Sequence, residues 1–497
     1  MNSTPLMTRR ALLCFTLLLA MLATPGFAAE RKVPSIIWIL LDQVPADSFG
    51  CYGHPFCKTP NFDRIAERGI KFTNAVVVGM PCVPSRVSFN AGLYPHQTGV
   101  YNNFDKMRPE DGNLPRLLRQ GGIKECILIS KAHFNTSPEK LGYTSVVNVH
   151  AKDKVDDSKP VVKNRGGEGA IYSARSATRP EEMYSGRCID EAIKNYDRLH
   201  ATGTPFYLCV SIDRPHPETV VSSPFYEMYQ AKVPLPVKNA EELKDKPDSL
   251  RSGSERMMED TSPENLRLAI ASHYGSLSEV DFNVGRLLDR IGPAWEAGEV
   301  IVAVSADHGG FRGRCWRLEK GFGYRDIVCV PFIISQPGRI KPKTIDGVVE
   351  SIDFLPTLLD LYGLKADKPL PGVSLVSIMD GKVQEVKQAA FNEDADRKTV
   401  RTREWHYSLY DKKSCPNINR ELYDLIKDPG ETKNLAYDPA CAAVVKQCED
   451  LIAKRLGLAF PETTTPSRKK AKNLEGKKAK WKTGPPSPSA HSLSAHS

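Results

Sequence analysis

The sequence predicts an α/β fold, with a large, mostly parallel sheet flanked by helices and a smaller C-terminal antiparallel-sheet subdomain. Three observations lead to this prediction. Short apolar runs rich in branched residues recur along the chain, amphipathic helical patterns lie between them, and after about residue 375 the chain changes to shorter segments. Apolar runs without polar interruption are typical of strands that are buried on both faces of a parallel sheet.

Four apolar runs are the predicted central strands, at residues 35–41, 126–129, 206–210 and 300–304. Each run is followed closely by polar residues that can take part in chemistry. Open α/β sheets bind ligands beyond the carboxyl ends of their strands, so we expect these polar residues on one edge of one sheet. They are Asp42, Lys131, His133, His216, Asp307 and His308.

The remaining elements follow from periodicity and composition. Residues 266–291 place apolar side chains three or four apart, which predicts a helix that Gly292 ends. Two polar stretches are expected to be surface insertions near the active edge, and the C-terminal part is expected to hold two strands closed by a helix. The stretches are residues 152–185 and 236–263, the strands 405–410 and 421–425, and the helix 442–456.

The N-terminal residues have the pattern of a secretory signal peptide. Arg9 and Arg10 precede an apolar run, and small residues follow at 26–29. We therefore expect an exported protein, periplasmic or extracellular, and no later run is long enough to span a bilayer. The predicted division is a signal peptide at 1–29, a catalytic domain at 30–375, an α+β subdomain at 376–460 and a disordered basic tail at 461–497.

The net charge of +9 is concentrated at the two ends of the chain. The tail carries +6 and the signal peptide +2, which leaves +1 for the body. A nearly neutral body argues against nucleic acid as a partner. The tail itself has two interpretations, a solvated extension or a segment that holds the protein to anionic polymers.

The cysteines leave two possibilities open. Cys14 lies in the signal peptide and Cys82 in the motif described next, so ten of the twelve remain. In an exported protein these could form disulfides, for example between Cys51 and Cys57, or they could be buried free thiols.

A motif of five residues predicts the chemistry of this protein. Cys82-Val83-Pro84-Ser85-Arg86, with Gly92 six residues beyond the arginine, resembles the signature of the type I, formylglycine-dependent sulfatases of the alkaline phosphatase superfamily. In that family a dedicated maturing enzyme oxidises the cysteine to formylglycine. No standard side chain supplies the geminal diol of the hydrated aldehyde, so the motif implies catalysis rather than packing.

Further family motifs occur in order from about residue 34 to 440, and together they make the resemblance specific. They are Asp42-Gln43 with Gly50–Gly53 and Thr59–Asp63, the extended signature through Gly99, Lys131-Ala132-His133, Pro215-His216-Pro217, Ser305–Gly309, Lys320-Gly321, Asp353 with Pro356-Thr357, and Glu421–Asp424 with Asp428–Glu431. The resemblance implies the alkaline phosphatase-like fold.

The resemblance also implies a divalent metal held by Asp42, Gln43, Cys82 after its conversion, Asp307 and His308. Hard oxygen ligands suit Ca²⁺. Many relatives carry Asp in place of Gln43 and Asn in place of His308, so Mg²⁺ or Mn²⁺ stays open.

Five further residues receive catalytic roles from the resemblance. Arg86 would hold the formylglycine diol, and Lys131 and Lys320 would bind sulfate oxygens. His216, with Lys320 as its possible helper, would protonate the leaving alcohol. His133 would take a proton from the second hydroxyl, which releases sulfate and restores the aldehyde.

The residues around Lys320 are unusually basic. A glycan subsite for further sulfates or carboxylates, with the tryptophan stacked on a sugar ring, and a solvated basic loop both fit this composition. The residues are Arg312, Arg314, Trp316, Arg317 and Arg325.

The sequence thus predicts an exported, metal-dependent sulfatase that cleaves sulfate monoesters, with a sulfated small molecule or glycan as substrate. Its partner would be a formylglycine-generating or sulfatase-maturing enzyme. Two alternatives stay open: a phosphate or phosphonate ester hydrolase of the same superfamily, and a sulfated-glycan binder without catalysis.

Overall fold

The computed structural model describes residues 33–150, 152–158, 161–163 and 172–457. The predicted signal peptide and basic tail lie outside these residues. Within them, no helix has the length and apolar character needed to cross a membrane.

The described residues form fifteen strands and eleven α-helices. In chain order the strands are β1 Ser35–Leu41, β2 Gly69–Val76, β3 Glu125–Ser130, β4 Ser145–Val147, β5 Val162–Lys163, β6 Tyr172–Ser176, β7 Phe206–Ile212, β8 Thr219–Ser222, β9 Val300–Ala306, β10 Phe332–Ser335, β11 Lys343–Glu350, β12 Ala390–Glu393, β13 Arg397–Arg401, β14 Trp405–Tyr410 and β15 Arg420–Asp424. The helices are α1 Pro60–Ala66, α2 Cys82–Ala91, α3 Pro95–Thr98, α4 Leu114–Gln120, α5 Tyr184–Ala201, α6 Asp248–Asp260, α7 Pro263–Glu296, α8 Arg325–Val328, α9 Phe354–Leu361, α10 Val376–Met379 and α11 Ala442–Leu456.

The main sheet has eight strands in the order β11-β2-β10-β9-β1-β7-β3-β4. Strand β1 pairs in parallel with β7 and β9, and β3 pairs in parallel with β7, whereas β10 is antiparallel to both of its neighbours. The predicted mostly parallel sheet is confirmed. The four predicted runs are the adjacent strands β9, β1, β7 and β3, so their carboxyl ends meet at one edge.

Burial explains why these runs became central strands. Every residue of β1, β7 and β9 is buried, as uninterrupted apolar runs require. Helix α7 begins where Ser262 caps it by accepting a hydrogen bond from the Asn265 N–H. Its predicted end at Gly292 is wrong, because the helix continues through Pro293 to Glu296. The burial of Trp295 in the core outweighs the weak helix propensity of one glycine.

The C-terminal part forms the predicted antiparallel sheet, in the order β12-β13-β14-β15. Strands β14 and β15 and helix α11 lie where periodicity placed them, and Val445 and Ile452 of α11 pack on Tyr407 and Leu422. One expectation needs correction. Residues 236–263 are not wholly a surface insertion, because α6 and the turn before it bury apolar side chains, including those of Leu243 and Leu250.

The eleven cysteines of the described residues are all free thiols, and most are buried. Of the two possibilities that the sequence left open, the structure adopts the free thiols. No disulfide joins Cys51 to Cys57.

Candidate active site

The edge formed by the carboxyl ends of the central strands brings together residues from opposite ends of the chain. Asp42 follows β1, Asp307 and His308 follow β9, and Cys82 begins helix α2. One ligand atom from each of these four buried residues lies within 4.8 Å of all the others. The Cys82 Sγ is 3.0 Å from the His308 Nε2.

Helix α2 holds the signature rigidly. All ten of its residues are buried, and Gly92 ends it in the left-handed conformation at φ 66°. Arg86 lies one turn beyond Cys82 and is 1% exposed. Its Nε donates to Asp307 Oδ2 at 2.8 Å, its Nη2 to Asp42 Oδ2 at 3.0 Å and its Nη1 to Ser211 Oγ at 2.8 Å. The guanidinium therefore spans the two carboxylates and fixes their orientation.

The second oxygens of the two carboxylates differ, since Asp307 Oδ1 accepts from the His308 N–H at 2.8 Å and from the Gln43 N–H at 3.3 Å. Asp42 Oδ1 is buried without a hydrogen-bond partner, although it lies 3.9 Å from His308 Nε2. Burial opposes ionisation of Asp42, but the charges of Lys131, His216 and Arg86 outweigh it and hold its pKa well below the usual range. An ionised carboxylate with an unpaired, buried oxygen is a donor that suits a cation.

His308 points its second nitrogen into the same space. Its Nδ1 is 2.7 Å from the Gly309 carbonyl and must carry a hydrogen to bond there, which leaves Nε2 with a lone pair. Burial lowers the pKa of this imidazole, so it is neutral near pH 7. Two carboxylate oxygens and this nitrogen fit a divalent metal.

Gln43 lies beside the cluster with its side chain already engaged. Its Nε2 donates to the Leu318 carbonyl at 3.0 Å, and its Oε1 accepts from Lys320 Nζ at 3.1 Å. Both Gln43 and His133 adopt the left-handed region, at φ 62° and 53°. Such strain costs free energy and is frequent at functional sites.

The two lysines approach from different sides. Lys131 Nζ lies 2.6 Å from Asp42 Oδ2 and 2.5 Å from Asp213 Oδ1. Burial opposes the charge of Lys131, but Asp42 and Asp213 raise its pKa above the usual value. Lys320 Nζ lies 2.9 Å from the Nε2 of His216.

His216 is held in one tautomer. Its Nδ1 bonds the Pro217 carbonyl, which requires a hydrogen on Nδ1, so Nε2 accepts from the Lys320 ammonium. Burial, together with Lys320 and Lys131, lowers the pKa of His216 against the opposing effect of Asp42. The histidine is thus neutral beside a charged donor.

His133 lies apart from the hydrogen bonds that link the other predicted site residues. It follows β3 as predicted, and its Nδ1 is buried without a hydrogen-bond partner. Within the described part of the chain, neither a hydrogen bond nor an ion pair joins it to Asp42, Cys82 or Asp307.

Comparison with known proteins identifies the family. A profile of the sulfatase family matches residues 34–364, and a profile described as N-sulphoglucosamine sulphohydrolase, C-terminal, matches residues 313–456. The chain belongs to the sulfatase family. It is a sulfuric ester hydrolase of the alkaline phosphatase superfamily.

Relatives of this sulfatase span most of its length. An arylsulfatase of Clostridium perfringens is 24% identical over 81% of this chain and 90% of its own. An N-acetylglucosamine-6-O-sulfatase of Bacteroides thetaiotaomicron is 24% identical over 82% and 83%. The crystal structure of a phosphonate monoester hydrolase of Agrobacterium radiobacter has the same fold, with a TM-score of 0.70 and 23% identity over 86% of this chain and 96% of that one.

The basic residues around Lys320 of the sulfatase do not form the expected subsite for further sulfates or carboxylates, and they do not form a solvated loop. Trp316 is 2% exposed and donates to the Met257 carbonyl at 3.2 Å, so it cannot stack on a sugar. The arginines pair with protein groups instead: Arg312 with Asp47 and Asp326, Arg314 with Asp326 and Glu431, Arg317 with Glu319, and Arg325 with Asn74.

Sequence reasoning assigned no role to three polar residues that support the site of this sulfatase. Asp213 pairs with Lys131, Ser211 accepts from Arg86, and the Ser85 hydroxyl bonds the Asp307 carbonyl. Their positions in the sequence could have indicated a supporting role. Ser85 lies inside the signature, and Ser211 and Asp213 lie at the end of β7, beside residues that did receive roles.

Proposed function

We propose that this sulfatase cleaves sulfate monoesters of sulfated carbohydrates, with formylglycine made from Cys82 and a divalent metal. The observation that carries the proposal is the position of Cys82, whose Sγ shares a 4.8 Å cluster with Asp42, Asp307 and His308. The similarity to an N-acetylglucosamine-6-O-sulfatase supports a carbohydrate substrate.

Asp42, Asp307 and His308 would hold the metal, with Gln43 completing the set once its Oε1 turns from Lys320. A bound cation would stabilise negative charge that develops on the sulfate oxygens. The oxygen-rich set suits Ca²⁺, and the nitrogen of His308 keeps Mg²⁺ and Mn²⁺ as candidates. Formylglycine would contribute a nucleophilic oxygen at the position of the Cys82 Sγ.

The charged residues of the pocket would orient the sulfate group. Arg86 holds Asp42 and Asp307 in place and would steady the converted side chain through the same fork. Lys131 and Lys320 would bind sulfate oxygens as point charges. Lys320 donates to His216 Nε2, so this pair would deliver a proton to the leaving alcohol. His133, with its unpartnered buried Nδ1, would accept a proton in the second half of the reaction.

The test combines mass spectrometry of the Cys82 peptide with an assay of sulfate ester hydrolysis. Protein from a host with a sulfatase-maturing enzyme should give a Cys82 peptide with the mass of formylglycine, and it should hydrolyse 4-nitrophenyl sulfate. Cys82→Ala should lose this activity entirely, whereas Cys448→Ala, at a buried thiol of the C-terminal helix, should keep it. A protein whose Cys82 stays a thiol and still turns over the sulfate ester would refute the proposal.

We also propose that the protein is exported and that it has a catalytic domain followed by an α+β subdomain. The basic and apolar pattern at the N-terminus supports export to the periplasm or the medium. A catalytic domain at 30–375 and an α+β subdomain at 376–460 agree with the positions of the main sheet and of β12–β15.

A second candidate activity is phosphate or phosphonate ester hydrolysis. It is favoured by the Gln43 and His308 side chains at the metal set, which depart from the predicted sulfatase pattern, and by the fold shared with a phosphonate monoester hydrolase. The ratio of kcat/KM for matched 4-nitrophenyl sulfate and 4-nitrophenyl phosphate separates the two. We expect the sulfate to be preferred.

A further inference from the structure

A polar cleft of about 280 Å³ adjoins the loops that carry the active site. We call it the Tyr274 cleft. It is lined by Asp47, His54, Tyr274, Arg312, Arg314 and Asp326, together with the backbone between β1 and α1. None of these residues takes part in the chemistry described above.

The walls of the cleft continue the segments that hold the metal ligands. Asp47 lies in the turn Ala46–Ser48, four residues after Gln43. Arg312 follows Gly310, whose position is so close to Gln43 that an added Cβ would lie 2.9 Å from its Cγ. Helix α7 forms the third wall of the cleft with Tyr274, and His273 directly precedes that residue. The rings of His273 and Tyr274 lie 5.9 Å apart.

The charges of the Tyr274 cleft cancel. Arg312 Nη2 lies 2.7 Å from Asp47 and 2.9 Å from Asp326, and Arg314 Nη1 lies 2.9 Å from Asp326. Arg314 also reaches Glu431. Each guanidinium is thus neutralised by the protein, and the cleft has no uncompensated cation for a second sulfate or a carboxylate.

The cleft nevertheless offers free hydrogen-bonding groups. Tyr274 lies on the cleft, and among the described residues nothing hydrogen-bonds its hydroxyl. The Arg312 Nε also lacks a partner, but it is fully buried and is not presented to the cleft. His54 Nδ1 accepts from the N–H groups of Phe56 and Cys57, which leaves its Nε2–H as a donor. The rings of His54 and Tyr274 lie 4.7 Å apart and form an aromatic wall.

Hydroxyl-binding groups next to aromatic rings, without net charge, are complementary to a neutral sugar. We propose that the Tyr274 cleft binds the uncharged, hydroxyl-rich ring of the sugar from which this enzyme removes sulfate. The proposal rests on the proposed sulfatase function and deepens it. It also predicts that a substrate with a second anionic group on that ring is disfavoured, because the group would be desolvated without a cationic partner.

The test uses Tyr274→Phe, which keeps the ring and removes only the hydroxyl. Tyr437→Phe is the matched control, because Tyr437 is exposed on the C-terminal subdomain. Both are compared with the wild type on 4-nitrophenyl sulfate and on the best substrate from a panel of monosulfated hexoses and hexosamines. One neutral hydrogen bond is worth about 1 kcal/mol, so Tyr274→Phe should lower the ratio of kcat/KM for the sugar to that for the aryl sulfate about five-fold. Tyr437→Phe should leave the ratio unchanged.

The possible failures are distinguishable. If protein with converted Cys82 hydrolyses neither substrate, the sulfatase function itself fails. If it hydrolyses the aryl sulfate but no sugar of the panel, or if Tyr274→Phe changes both substrates equally, the Tyr274 cleft is not the sugar subsite. Saturation-transfer NMR with unsulfated N-acetylglucosamine adds a readout that does not need turnover. The signal should weaken in Tyr274→Phe, and an unchanged signal would overturn the proposal.

Discussion

Replacement of Glu431 by glutamine tests whether the C-terminal subdomain holds the catalytic loop in place. Glu431 is fully buried between the small sheet and the loop that carries Lys320. Its carboxylate accepts from the Arg325 N–H at 2.9 Å and from Arg401 Nη1 at 2.5 Å, and it contacts His406 Nδ1 at 2.7 Å. Arg314 and Arg325 flank Lys320 in sequence.

The size of the effect follows from the charge. Burial opposes ionisation of Glu431, but Arg401, His406 and Arg314 hold its pKa well below the usual range, so the side chain is a carboxylate at neutral pH. Glu431→Gln keeps the shape and leaves Arg401, which is 3% exposed, without its counter-charge. Loss of one partner from a buried ion pair costs about 3–5 kcal/mol, and the remaining amide acceptor puts our expectation near 3 kcal/mol.

Activity should fall together with stability. A displacement of about 1 Å at a catalytic group can cost on the order of 100-fold, and we expect at least a ten-fold loss of kcat/KM for 4-nitrophenyl sulfate from the fraction that remains folded. Urea denaturation followed by circular dichroism measures the stability change. Glu404→Gln, at an exposed glutamate of the turn between β13 and β14, is the control. A stability loss below about 1 kcal/mol with unchanged turnover would show that Glu431 neither stabilises the fold nor positions the loop.

Three more predictions concern charge, pH and metal. A lysine in place of Arg86 cannot span Asp42 and Asp307, so in Arg86→Lys the free energy of unfolding measured by urea denaturation should fall by about 3 kcal/mol. A fall of less than about 1 kcal/mol would contradict this expectation. Burial raises the pKa of Glu279 to about 7 from an ordinary value near 4.5. The folded state then holds a proton that the unfolded state has lost, so the free energy of unfolding should fall by up to about 3 kcal/mol as pH rises from about 4.5 to 7, and Glu279→Gln should flatten this slope. In unconverted protein the Cys82 thiol lies 3.0 Å from His308 Nε2, so this protein should bind Cd²⁺ and show thiolate charge-transfer absorption. Cys82→Ser should abolish the absorption, and protein with converted Cys82 should not show it.

The sequence was most informative where backbone geometry alone decides position. Parallel strands end at one edge, so the polar residues after β1, β3, β7 and β9 could be placed together without knowledge of their side-chain contacts. The resemblance at Cys82 then supplied the roles that we propose for them. The family pattern gave Arg86 a role at the formylglycine diol. Its two carboxylate partners lie 44 and 221 residues away, and no local pattern reveals such pairs.

The failures have the same origin. The basic residues near Lys320 suggested an anion subsite because their sequence neighbourhood is positive, yet Asp47 and Glu431 arrive from distant segments and neutralise them. The end of α7 was misplaced because local propensity at Gly292 competes with the burial of Trp295, which only the folded core decides. Long-range partners, rather than local preferences, set both outcomes.

The burial of Cys82 has a consequence for how active enzyme can be obtained. The thiol is 2% exposed and lies on a helix that is covered along its whole length, so a macromolecular catalyst cannot reach it after packing. Under the proposed formylglycine chemistry, protein purified with the thiol intact would stay inactive, and no later treatment would activate it without unfolding. The yield of active molecules would be set during synthesis, by competition between the rate of oxidation and the rate at which the nascent polypeptide closes around residue 82.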